Sequence, residues 1–338
     1  MRVADLDYHL PAGAIAQEAI EPRDAARLLI ARTGEDVAFV ELPHLLRAGD
    51  LLVVNRTRVR AARLAGRKPA TGGAVELLLV ERVDPVRWRA LVKPSRRIRP
   101  GTVLDFGEIT GEVLSPPRDG VVTVALASDG DVEDVLSNIG EVPLPPYFHG
   151  RLDDPERYQT IFAKSVGSAA APTAALHFTP RVLMGLAGAG VSVAEVQLDV
   201  GLDTFRPMSS ETVADHEIHT ERFSIPPETV DSIERARRLG GRVVAVGTTV
   251  VRTLETASGP DGTVTSGEGR SSLFIAPGHR FQVVDVLITN FHAPRTTLIA
   301  LVAAALPAWR SAYATALDRR LRFLSFGDAM LIDPVEGR

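Results

Sequence analysis

Between Ala74 and about Leu126 the chain reads as short β-branched segments, AVELLLVERV, VRWRALVKP, GTVLDFG, EITGEVL and VVTVAL, cut by Gly, Pro and Asp. No helical apolar period runs through them, and strands this short fit a small antiparallel barrel or sandwich. From Thr179 the pattern is different. Thr179 to Ala189 predicts a helix with a Thr cap and Pro at its first position. Strands are predicted over Val191 to Val200, Arg242 to Val246 and Val283 to Thr289, with helices over Pro227 to Leu239, Thr248 to Ala257 and Thr296 to Ala305. Such alternation favours a largely parallel sheet, open or barrel-like. A chain of 338 residues suggests about two domains. The proline-rich Pro143-Leu144-Pro145-Pro146-Tyr147, after a short helix over 131–140, reads as the linker back from the β segment to the first domain.

Composition narrows the chemistry. There is no cysteine, which excludes disulfides, thiolate nucleophiles and Cys-ligated zinc or iron–sulfur sites. The first residues carry acids and no sustained apolar core, so a secretory signal is not expected. The longest apolar run, Leu298 to Trp309, is too short for a bilayer, and the expected location is the cytoplasm. The formal net charge is −4, which argues against general coating of nucleic acid but leaves a local basic patch open. One such run exists: Arg56, Arg58, Arg60, Arg63, Arg67 and Lys68 fall within fourteen residues that hold no acid. It is either a solvated surface or a phosphate-binding edge. Lys93, Arg96, Arg97 and Arg99, in one Pro-flanked loop, add to the positive surface.

Several stretches carry candidate chemistry. In Ala169 to Phe178, AAAPTAALHF, Thr173 and His177 are the only polar side chains of an apolar strip, where small residues permit close approach of a ligand. The same pattern also describes a core turn around one hydrogen-bonded His. Val243 to Val246 leads through Gly247-Thr248-Thr249 into a helix, whose free N–H groups would suit a carboxylate or phosphate. Asp215-His216-Glu217-Ile218-His219-Thr220-Glu221 is the densest polar cluster. In a helix His216 and His219 would share a face, but H-E-x-x-H spacing is absent and no third ligand is evident. Proton transfer and hydroxyl recognition fit it better than a metal, and a surface capping segment is the plain alternative. Asn290-Phe291-His292 follows a strand's carboxyl end, where ligands gather in open α/β sheets. The glycines of Gly185 to Gly190 end a helix, the wrong order for a dinucleotide loop.

Taken together the segments resemble the S-adenosylmethionine:tRNA ribosyltransferase-isomerases of queuosine biosynthesis. The resemblance runs from Met1 to about Ile332. It is carried by Gly49-Asp50-Leu51-Leu52-Val53, Asn55-x-Thr57-Arg58-Val59, Pro143 to Tyr147, Glu156-Arg157-Tyr158-Gln159-Thr160, Ala170-Ala171-Pro172-Thr173, Leu176-His177-Phe178-Thr179, Asp215-His216, His219-x-Glu221, Val246-Gly247-Thr248-Thr249, Val251-Arg252-Thr253-Leu254-Glu255, Leu287 to His292 and Phe326-Gly327-Asp328-Ala329-Met330. It implies an α/β barrel-like catalytic domain (1–66 and 147–338) with an inserted small antiparallel β-barrel (67–146). It also implies that the ribose of S-adenosylmethionine passes to 7-aminomethyl-7-deazaguanine in a tRNA anticodon. The product is an epoxycyclopentanediol, and adenine and methionine leave. S-adenosylmethionine would be a substrate, with no further cofactor and no metal. His177, His216 and His219 would then be the proton-transfer candidates, with Asp215 and Glu221 orienting them or holding hydroxyls. Thr173, Gly247, Thr248, Thr249, Arg252, Asn290 and His292 would bind S-adenosylmethionine, with Gly247-Thr248-Thr249 and Arg252 on the methionine carboxylate. The 56–68 basic run would face tRNA.

The chain departs from the family pattern at Ala175 (Gly), Val166 (Pro), Val250 (Ser), Ala276 (aromatic), and Asp199 and Asp203 (His and Gly). Two added carboxylates repel a polyanion unless they meet a cation or a hydroxyl. A diverged paralogue acting on a small deazapurine, and a non-catalytic RNA-binding relative, are therefore the alternative expectations. Oligomeric state is not legible.

Overall fold

The computed structural model describes residues 1–149, 152, 154–201, 207–216, 218 and 220–336. By contact it divides into two compact units. One comprises 1–58, 145–166 and 171–338, and the other 59–144 with 167–170. The division falls at Arg58/Val59 rather than after residue 66, because Arg63–Arg67 is a strand of the smaller unit.

The larger unit is built on a nine-stranded sheet. Its strands run, edge to edge, Gly267–Ser271, Glu221–Ile225, Ser192–Leu198, Leu51–Asn55, Val243–Val246, Val286–Asn290, Ala329–Ile332, Arg27–Ile30 and Glu35–Ala38. Ser192–Leu198, Leu51–Asn55, Val243–Val246 and Val286–Asn290 are mutually parallel. The edges are antiparallel, as are Val286–Asn290 and Ala329–Ile332. Ala329–Ile332 and Arg27–Ile30 also run parallel, but the longest parallel run is the four strands at the centre. There the crossover connections contain helices such as Pro227–Arg238 and Thr248–Thr256; at one edge Ile30 reaches Glu35 through a tight turn.

The central strands are apolar at nearly every position because both faces are covered. Their residues alternate between two cores. Leu51, Val53, Val243, Ala245 and Leu287 join one, and Leu52, Val54, Val244, Val246 and Ile288 join the other. Pro180–Gly188 starts where Thr179 caps it, the hydroxyl accepting the Val182 N–H at 3.3 Å. Thr297–Ala305 starts from the Thr296 cap in the same way. No single helix among the described residues is long and apolar enough to cross a membrane.

An ionic clamp sits where the parallel strands begin. Arg242 donates to the buried Asp50 carboxylate from Nη2 at 2.6 Å and Nε at 3.1 Å, and to Asp333 at 2.7 Å. Burial pushes the Asp50 carboxyl up, but the Arg242 guanidinium and the backbone N–H groups of Arg47 and Arg242 outweigh it and hold it below the usual carboxylate range. Gly241 lies so close to Gly49 that a Cβ there would meet the Gly49 carbonyl oxygen at 1.9 Å.

The smaller unit is a closed barrel of Val121–Ala127, Arg87–Lys93, Ala74–Arg82, Arg63–Arg67, Val103–Asp105 and Thr110–Val113. Strict alternation sends Val75, Leu77, Leu79, Trp88, Ala90, Val92, Val122, Val124 and Leu126 inward. Val132–Ile139, capped by Asp131, adds Leu136 to that core. Trp88 is fully buried, and the Arg60 and Arg82 guanidinium groups lie over its ring at 4.9 and 5.4 Å. Glu133 pairs with Arg60 at 2.8 Å and with Arg82 at 3.7 Å. Removing the carboxylate leaves a nearly buried guanidinium unpaired. Glu133→Gln should lower stability by about 1–3 kcal/mol in urea unfolding, whereas Arg67→Gln on the exposed Arg67–Asp105 pair should change it by less than about 1 kcal/mol.

Candidate active site

Because the central strands are parallel, their carboxyl ends lie at one edge of the sheet, and there the larger unit has a pocket of about 610 Å³, open solvent at its mouth included. Three of the four central strands or their continuations supply lining: Val200 beyond one, Gly247, Thr248 and Thr249 beyond another, Thr289, Asn290, His292 and Ala293 from a third. The 171–174 turn, Tyr147, Thr296, Leu298, Leu324 and Ser325 complete it. Among the described residues, none of the lining is Lys, Arg, Asp or Glu.

The Gly247 turn aims a helix end into this pocket. Gly247 has φ +88° and ψ 156°, a conformation close to glycine-only, and Thr248–Thr256 follows it. The Thr248 and Thr249 N–H groups stand at the first two helical positions, where no intrahelical acceptor exists. Asn55 steadies the turn, its amide reaching the Leu198 carbonyl at 3.0 Å and the Thr249 hydroxyl at 3.5 Å.

Asn290 ties two other walls together. Its Oδ1 accepts from the Thr173 hydroxyl at 3.1 Å and its Nδ2 donates to the Leu324 carbonyl at 3.1 Å. His292 Nε2 lies 2.8 Å from the Thr289 hydroxyl, and no partner among the described residues takes its Nδ1. Burial drives His292 down to about 3, so the ring is neutral at ordinary pH. Tyr147 and Ser325 join by their hydroxyls, and burial pushes the Tyr147 phenol up to about 12.

The structure brings Thr173, Gly247, Thr248, Thr249, Asn290 and His292 together as the sequence predicts, and leaves the other candidates elsewhere. His177 does not line the pocket. It is buried, with Nδ1 3.0 Å from the Ala174 carbonyl, Nε2 2.9 Å from that of Gly327, and its ring stacked on Phe39. It therefore braces two pocket walls from behind, and burial holds its pKa below the usual value. Arg252 is also outside the lining. Its guanidinium pairs with the buried Glu221 carboxylate and donates to the Leu273 carbonyl at 3.2 Å. Glu221 opens a strand and accepts the Gly201 N–H at 2.8 Å, and the described residues of 215–220 form no helix. Asp215 is exposed and accepts from the Thr212 hydroxyl; His216 meets the edge of Phe274. His219 and Asp203 lie outside the described residues.

The basic run is largely spoken for. Arg58 pairs with Glu156 in the larger unit. In the barrel Arg60 pairs with Glu133, Arg63 with Glu76 and Arg67 with Asp105. Arg56, half-buried, and Lys68 are outside any ion pair among the described residues. Asp199 lies in a separate depression with Gln197, Arg222 and Arg270. It faces Arg222 across the strand pair and accepts from Gln197 at 3.1 Å. It also accepts from the Thr57 hydroxyl at 3.4 Å, so this added carboxylate meets a hydroxyl. Ala175 and Val250 are both buried core residues.

Tyr147, Thr289, Thr296 and Ser325 were not among the sequence candidates. Tyr147 ends a proline run that reads as a linker. Ser325 belongs to the 325–330 turn, visible as polar but with no sign of which cavity it faces.

The comparisons with known proteins cover nearly the whole chain. Residues 3–332 match the family model described as "Queuosine biosynthesis protein". The S-adenosylmethionine:tRNA ribosyltransferase-isomerase of Symbiobacterium thermophilum is 48% identical, covering 98% of this chain and 100% of its own length. The protein of the same name from Synechococcus elongatus is 48% identical over 97% of this chain and 95% of its own. The crystal structure of the S-adenosylmethionine tRNA ribosyltransferase of Thermotoga maritima superposes with a TM-score of 0.53 at 36% identity, covering 97% of this chain and 99% of that one.

The neutral His292 has a consequence for stability. Its unfolded pKa is near 6.5 and its folded pKa about 3, so below pH 6.5 the unfolded chain takes up a proton that the folded protein refuses. Stability is therefore full above pH 6.5 and declines as pH falls toward 3, by up to about 1.4 kcal/mol per pH unit for such a group. Thermal melts between pH 7 and 4 should show this decline, and His292→Gln should flatten it. From the pocket at the strands' carboxyl ends and the full-length matches alike, the chain belongs to the queuosine biosynthesis protein family.

Proposed function

We propose that this protein is an S-adenosylmethionine:tRNA ribosyltransferase-isomerase, moving and isomerising the ribosyl group of S-adenosylmethionine onto 7-aminomethyl-7-deazaguanine in tRNA, with release of adenine and methionine. The observation that carries this reading is near-half identity, along the whole chain, to relatives named for that activity. The pocket supports it chemically. S-adenosylmethionine brings a sulfonium, a carboxylate, ribose hydroxyls and an apolar-faced adenine. The described lining has no Lys or Arg to repel the sulfonium, and the neutral His292 adds no positive charge beside it. The Thr248 and Thr249 N–H groups suit the carboxylate. Thr173, Asn290, His292, Tyr147 and Ser325 offer partners to the hydroxyls, and Val200, Leu298 and Leu324 an apolar wall to adenine. The protein works in the cytoplasm, where its tRNA is.

The reaction needs a base for the carbon beside the sulfonium, which that charge already acidifies, and an acid for departing adenine. The two titratable groups of the lining among the described residues sit far to either side of neutrality, His292 at about 3 and Tyr147 at about 12. We assign proton transfer to the 215–221 segment, with Asp215, His216 and His219 as its groups. Glu221 acts through Arg252, and His177 holds the pocket's walls. No metal or further cofactor enters.

Adenine release from S-adenosylmethionine by the purified protein should depend on tRNA bearing 7-aminomethyl-7-deazaguanine; equal release with the free deazapurine and no tRNA would mark a small-molecule enzyme instead. His216→Asn should cut adenine release at least tenfold while S-adenosylmethionine still binds in calorimetry. Turnover near that of the unsubstituted protein would remove His216 from proton transfer.

A further inference from the structure

From residue 85 to 104 the sequence has six basic residues and no acid. Two of them are neutralised: Arg87 pairs with Asp84 at 2.5 Å and Arg89 with Glu81 at 3.1 Å. The other four, Lys93, Arg96, Arg97 and Arg99, are exposed on the turn that leaves the Arg87–Lys93 strand, and none forms an ion pair among the described residues. We infer that this 93–99 turn of the small barrel is the surface that holds the phosphate backbone of the tRNA substrate. The inference rests on tRNA being the acceptor.

The turn presents its cations on a pinned backbone. Ile98 is buried in the barrel core, and its N–H donates to the Ser95 carbonyl at 3.2 Å. Arg99 and Thr102 are bonded both ways, the Arg99 N–H to the Thr102 hydroxyl at 3.1 Å and the Thr102 N–H to the Arg99 carbonyl at 3.0 Å. The Gly101 N–H reaches the Val113 carbonyl at 2.8 Å. Arg97 sits at φ +70°, in the left-handed region that L side chains seldom adopt, and it is an arginine that occupies it.

Neighbouring acids do not cancel these charges. Glu76 stands across from Lys93 in the strand register but pairs with Arg63. Glu112 lies on the adjoining Thr110–Val113 strand, and Asp119 lies in the turn whose Gly120 carbonyl accepts the Val92 N–H. Neither forms an ion pair with the turn. An unpaired cation can release a counterion from RNA when it binds, whereas one already held by a carboxylate gives up a partner to do so. On that ground the 93–99 turn is a better phosphate contact than Arg58, Arg60, Arg63 and Arg67, each of which has its acid. Four exposed cations on one turn suit a line of phosphates rather than a single enclosed anion.

The test uses the full chain, fluorescein-labelled tRNA and anisotropy at 50 to 200 mM salt. The triple substitution Arg96→Gln, Arg97→Gln, Arg99→Gln should weaken binding at least tenfold at the lowest salt. It should also reduce the log–log salt slope by about 2, from roughly 0.7–0.9 per lost contact. KM for tRNA should rise, with kcat and KM for S-adenosylmethionine unchanged. Replacing the same three arginines by Lys should restore the slope, and Arg63→Gln with Arg67→Gln should leave it within about 0.5 of the original. A Gln triple variant that binds tRNA with unchanged affinity and slope overturns the inference, as does a Lys variant that restores nothing. Absence of tRNA-dependent adenine release from the unsubstituted protein would instead overturn the reading of its function, since the binding measurement does not need turnover.

Discussion

Arg242 holds the larger unit's architecture at one point. Its guanidinium joins Asp50, just before one central strand, to Asp333, just after an outer one, and itself leads directly into Val243. Parallel strands lack the short hairpin turns that set register in antiparallel pairs. Here the beginnings of neighbouring strands are levelled by charge and by the near-contact of Gly49 with Gly241. Level beginnings imply level ends. Val200, Gly247 and Asn290 can line one pocket only because the strands before them keep step.

Among the described residues the pocket lining carries no Lys, Arg, Asp or Glu. Its hydroxyl and amide groups are set by bonds to walls rather than by ion pairs, with Asn290 between Thr173 and Leu324 and Tyr147 on Ser325. A charged group nearby is paired away from it: Arg252 takes Glu221. A cationic sulfonium substrate gains from this arrangement, since a fixed positive charge in so low a dielectric would oppose it strongly.

The barrel uses charge differently. Its interior carries Arg60 and Arg82 over the Trp88 ring, with Glu133 closing the set, so cations serve there as packing. Most of the 56–68 basic run belongs to such internal or surface pairs. Over 85–104, where the local sequence has no acid, Lys93, Arg96, Arg97 and Arg99 are exposed and outside any ion pair among the described residues.

Much of this was legible in the residues. The two textures, the caps at Thr179 and Thr296, and the Gly247-Thr248-Thr249 turn follow from local rules, because a cap or a strand-to-helix glycine acts within one turn of its own position. Motif resemblance supplied the family, and with it the pocket residues Thr173, Asn290 and His292. Other matters depended on partners far away in the chain. His177 is an ionisable residue in a motif, yet contact with Phe39 and the Gly327 carbonyl makes it a brace. Arg252 resembled a carboxylate binder until Glu221, thirty-one residues earlier, proved to hold it. Tyr147 and Ser325 meet across a separation of 178 residues that no local pattern records. The sequence alone thus determined the element types, the caps and the family, since these rest on short-range geometry and on ordered motifs. The tertiary structure decided which polar groups are free to act, because burial and pairing are set by neighbours that only folding brings together.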